Sequence, residues 1–139
     1  MSINKKILWL SAIATITIAS CQKNDDTVVE GVTPVPVTTI IIEEPVAGYT
    51  YMAGDTVHVH VQINSDIEMH GYEVLIINDS TSDTVWSVQE HDHAASYHIE
   101  TEWINNVSDH SDMRVRVNAE VEHEMEVVSE EVHFHCHPM

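Results

Sequence analysis

Strict two-residue alternation constrains this chain more than any other feature. From 56 to 63, Val57, Val59, Val61 and Ile63 alternate without a break with His58, His60 and Gln62. From 113 to 121, Met113, Val115, Val117, Ala119 and Val121 alternate with mostly polar residues. A period of two gathers one set of side chains on one face of an extended strand, which a helix cannot do. Residues 96–104 repeat the pattern, with Tyr97, Ile99, Thr101 and Trp103 set against His98, Glu100 and Glu102. Residues 128–137 do so again, with Val132, Phe134 and Cys136 on one side and His133, His135 and His137 on the other. Residues 38–43 and 84–89 read as further strands, and 71–77, apolar on both faces, as a central one. Turn-forming clusters separate these runs: Asn64-Ser65-Asp66, the polar stretch 78–83, and 105–109. No helical period and no internal repeat is visible. The expected fold is a single all-β sandwich of about seven antiparallel strands over residues 38–139.

The N-terminus has a different character. Lys5 and Lys6 precede an apolar run from 7 to 18, too short to span a bilayer, which stops at Ile18-Ala19-Ser20-Cys21. This resembles the bacterial lipoprotein signal, in which the cysteine after a small-residue run is lipidated and becomes the mature N-terminus. The resemblance implies a signal peptide over 1–20, a palmitate-bearing lipid on Cys21, and attachment to the outer membrane of the cell envelope. The acidic stretch Gln22-Lys23-Asn24-Asp25-Asp26 is similar to the surface-export signal of lipoproteins of the Bacteroidota, which implies display at the cell surface. Residues 21–37, with their Pro and Val content, are expected to be an extended tether. With Cys21 assigned to lipid, Cys136 stands alone, and a disulfide framework is ruled out.

Residues 113–119 followed by 129–134 resemble the last hairpin of fibronectin type III and related immunoglobulin-like domains, and the likeness extends over residues 37–139. It implies an immunoglobulin-like sandwich. The chain departs from the pattern where Met113 occupies a position usually held by tyrosine, and it lacks the inter-sheet disulfide of antibody domains.

Charge narrows the partners. With 23 Asp/Glu against 5 Lys/Arg, the chain carries a formal net charge of −18, which repels nucleic acid and anionic lipid and attracts cations. No phosphate loop, zinc-protease helix or nucleophile elbow is present, and no acid–base pair stands out among the many carboxylates, so a non-enzymatic role is expected. The chain has 11 histidines. If successive strands run up and down, the connections holding Met69-His70, His91-Asp92-His93 and His123-Glu124-Met125 fall at one end of the sandwich. Imidazoles and thioethers converging there would suit zinc or copper, with Asp92 and Glu124 orienting the rings. The expected ligands are therefore His70, His91, His93, His123, Met69 and Met125.

Other histidines are weaker candidates. His58 and His60 should face Glu102 and Glu100 across a strand pair, which explains them without a metal. His133, His135 and His137 form an outward stripe, but Arg114 and Arg116 on the neighbouring strand place fixed positive charge beside it. Cys136, by alternation, points into the core. The rival to metal binding is an adhesion, interaction or spacer module of a surface complex, with a protein partner at the envelope and incidental histidines.

Overall fold

The computed structural model describes residues 36–121 and 126–138. The signal and tether residues up to 35, with Cys21, lie outside the described residues, as do His123, Glu124 and Met125. Seven strands make one curled sheet: β1 (Thr38–Glu44), β2 (Thr50–Met52), β3 (Thr56–Asn78), β4 (Asp83–Glu90), β5 (Ala94–Ile104), β6 (Ser111–Val121) and β7 (Glu126–His137). The all-β expectation holds.

The organising element is β3, a strand of 23 residues. Its first half pairs with β1 on one side and β5 on the other; its second half pairs with β4 and β6. β7 adds to β6, and β2 adds to β7 in parallel. The sheet thus folds over on itself, and its two inner faces share one core. The expected separate strands at 56–63 and 71–77 are corrected to one continuous strand. Asn64-Ser65-Asp66 does not reverse the chain, because its neighbours hold it extended: Thr38 Oγ1 and Ser65 Oγ lie 3.0 Å apart, and the Val37 N–H donates to Asp66 Oδ1 at 2.8 Å. The change of direction falls later, where the β5 register shifts between Asn64 and Met69 and the β6 register shifts between Met69 and Gly71. Such irregularities bend a strand and raise its twist. The all-antiparallel expectation is corrected as well, since β2, a strand the alternation does not reveal, runs parallel to β7.

The core follows the alternation. Val57, Val59, Val61, Ile63, Val115, Val117, Ala119, Phe134 and Cys136 are all fully buried. Burying side chains of this size contributes about 1.5–3 kcal/mol for each large one. On the outer face of β6 and β7 the charged residues pair. Arg116 donates to Glu131, and Arg114 lies 3.2 Å from Asp79 and 3.5 Å from Glu131. The bond from Arg116 holds Glu131 below the usual carboxylate range.

Cys136 is sealed in this core, and burial pushes its thiol up to about 11. The thiolate is the reactive form. In the folded protein at pH 8, a maleimide should therefore leave the Cys136 peptide unmodified by mass, and denaturant should release the reaction. Rapid labelling without denaturant would contradict this burial.

Candidate metal centre

The bend of β3 places its residues 68–71 beside the connection between β4 and β5. Gly71 makes this approach possible. Its φ is +154°, and a Cβ built there would lie 2.2 Å from the carbonyl oxygen of Glu90 and 3.1 Å from the Cα of His91. Only a residue without a side chain lets the loop lie against β3 this closely. Two tyrosines also pin the loop. Tyr72 donates to Glu90 Oε2 at 2.7 Å, and Tyr97 donates to the backbone carbonyl of Asp92. The two rings pack edge to face with centroids 4.9 Å apart. Burial, reinforced by Glu90, pushes the Tyr72 hydroxyl up to about 12, so it stays a donor.

The loop so held carries His91 and His93 to His70. Ring centroids lie 4.6 Å apart for His70 and His93, 5.6 Å for His91 and His93, and 6.1 Å for His70 and His91. One ligand nitrogen from each lies within 4.8 Å of the others, so the three can hold a metal ion. Tetrahedral zinc, with bonds of about 2.0–2.1 Å, needs nitrogens about 3.4 Å apart. Closing the gap takes roughly an ångström of ring movement, which the exposed side chain of His91 has room to make. His93 is oriented already: its Nδ1 lies 3.1 Å from Glu68 Oε1. A proton shared there leaves Nε2 as the ligand atom, the usual role of a carboxylate behind a metal-bound imidazole.

The structure thus brings together His70, His91 and His93 from the expected set. It does not bring in Met69, which is fully buried and packs in the core with Val61 and Ile63. Met69 follows the inward face of β3 while His70 takes the outward one, so the thioether is a core side chain and not a ligand. Asp92 also differs from expectation. Its Oδ1 accepts the backbone N–H of His93 at 2.9 Å and so shapes the loop, while the carboxylate on the imidazole belongs to Glu68. The signal for Glu68 was present in the sequence: it stands two residues before His70, on the same face of an extended strand.

The other histidines among the described residues do not join this cluster. His58 and His60 pair in register with Glu102 and Glu100 as expected, and His60 also lies 3.7 Å from Glu44. The outward stripe on β7 is divided among carboxylates: His133 lies 3.4 Å from Asp79, with Arg114 opposite it in register, and His135 lies 2.8 Å from Asp112. His137 instead meets His110, with ring centroids 3.8 Å apart, a contact the sequence does not announce.

No protein-family model matches the chain, and no curated protein matches it either.

Proposed function

We propose that this chain is a lipid-anchored protein of the bacterial cell envelope, held at the outer membrane through Cys21, whose sandwich captures zinc or copper at His70, His91 and His93. The observation that carries the reading is the meeting of these three imidazoles at the bend of β3, with Glu68 behind His93. Among the described residues the donor set is all nitrogen once Met69 is in the core, which favours a divalent ion such as zinc or copper(II). A three-histidine set leaves room for a further ligand from solvent or from a binding partner. The role is retention or sensing of the ion, without catalysis. An immunoglobulin-like classification is supported by the strand pairing, with β1 and β5 flanking the first half of β3 and β4, β6 and β7 ranged about its second half. The lipid anchor and the surface location rest on the N-terminal resemblance alone.

The test is zinc titration of the full-length chain in detergent, read by calorimetry and native mass spectrometry. One stoichiometric ion is expected. His91→Ala/His93→Ala should remove it, and Glu68→Gln should weaken it by about 10–100-fold, as removing a carboxylate behind a ligating imidazole does. Weak, multiple binding unchanged by these substitutions would favour the rival role, an interaction or spacer module.

A further inference from the structure

The other end of the sheet carries a second donor set of different chemistry. On the outer face, β2, β7 and the residue just before β6 present side chains in a row. Met52 on β2 is in register with His137 on β7. Across β7 from Met52 lies His110, just before β6, its ring 3.8 Å from that of His137. Neighbouring strands stand about 4.8 Å apart. A thioether and two imidazoles therefore occupy adjacent places across the sheet. Met52 is 51% exposed, so its sulfur is not consumed by the core.

The row is built on a rigid base. Asn105, only 1% exposed, lies beneath it. Its side-chain amide donates to the carbonyls of Tyr51 at 3.2 Å and His137 at 3.4 Å, clipping together the ends of β2 and β7. The turn after Met52 is closed by Asp55, whose carboxylate accepts the Met52 N–H at 2.7 Å. On the far side, Ser111 Oγ donates to the Asp109 carbonyl at 3.0 Å and accepts from Asn78 at 3.1 Å, fixing the backbone around His110. A cavity of about 150 Å³ opens beside the pair, lined by His110, Asp112, His135 and His137. The carboxylates of Asp112 and Asp55 give this end a negative potential.

We infer that Met52, His110 and His137 form a second metal site, selective for a soft monovalent ion, copper(I). Thioether sulfur is a poor ligand for zinc and a good one for copper(I), while imidazole accepts either. The inference stands apart from the three-histidine cluster, with which it shares no residue.

The test is anaerobic titration of the full-length chain in detergent against copper(I) held by a chromogenic chelator. The His91→Ala/His93→Ala variant, which lacks the three-histidine cluster, should still withdraw one copper(I), and it is the background in which the further substitutions are compared. Met52→Leu, which keeps size and apolarity at an exposed position, should weaken the withdrawal by roughly tenfold or more, because it removes the soft donor alone. His110→Ala/His137→Ala should abolish it. The inference is overturned if Met52→Leu competes as well as that background, or if His91→Ala/His93→Ala itself loses the copper(I). Should the double histidine variant fail to fold, the Met52→Leu comparison decides the matter by itself.

Discussion

Gly71→Ala is expected to destabilise the domain by about 3–5 kcal/mol, the sum of a disfavoured backbone conformation and an overpacked contact. Both causes act at one atom. The backbone sits at φ +154°, and the added methyl would meet the Glu90 carbonyl at 2.2 Å. The obstacle is backbone, so no side chain can swing away to relieve it. Either β3 or the β4–β5 connection must move. Movement of the connection carries His91 and His93 away from His70, so zinc binding should fall even in the fraction that stays folded. Urea unfolding followed by tryptophan fluorescence measures the first effect, and zinc calorimetry at low temperature the second. Wild-type values in both would show that the loop does not need its close approach to β3.

Phe134→Ala should destabilise by a similar amount, about 3–5 kcal/mol, as large-to-small changes of buried aromatic residues do. Phe134 is fully buried and meets Tyr51 edge to face, with centroids 5.6 Å apart and ring planes at 88°. It pairs in register with Met113, which pairs with Asn78 at the far end of β3 from Gly71. Seven residues of strand separate those points, about 23 Å. Zinc affinity at the three-histidine cluster should therefore remain near wild type once the unfolded fraction is allowed for. The two substitutions make a matched pair: equal loss of stability, unequal loss of binding. If Phe134→Ala abolished zinc binding in the folded protein, the cluster would depend on the whole sandwich and not on the local packing around Gly71.

Much of this was legible in the chain. Alternation assigned Val57, Val59 and Val61 to the core and His58 and His60 to the outside, and cross-strand reasoning placed the latter opposite Glu102 and Glu100. The meeting of His70 with His91 and His93 also followed from connecting the strands in order. What was not legible depends on neighbours distant in sequence. Asn64-Ser65-Asp66 has turn chemistry, yet β1 and β5 pair on either side of this segment and hold it extended, so propensity gave way to pairing. Asn105 looks like a turn residue, and only the approach of β2 and β7 turns it into a buried clip. His110 sits in a polar loop whose composition suggests nothing, and only the β6–β7 register sets it against His137. Met69 was misread because a bend within a strand is invisible to a search for turns: a residue expected in a loop proved to lie on an inward face.

One edge strand, β5, has a consequence for how copies of the chain meet. Among the described residues β5 pairs only with β3, leaving its other edge without a ladder partner. Open edges invite a strand from another molecule, and many proteins discourage this with lysine. Here the exposed residues along β5 include His98, Glu100 and Glu102, and His98 holds Glu100 below its usual range by a 3.0 Å contact. Two such edges brought together would set carboxylate against carboxylate. Copies packed densely on one surface would be kept apart by colloidal repulsion, which is strong at neutral pH, is screened by salt, and fades as the carboxylates take up protons.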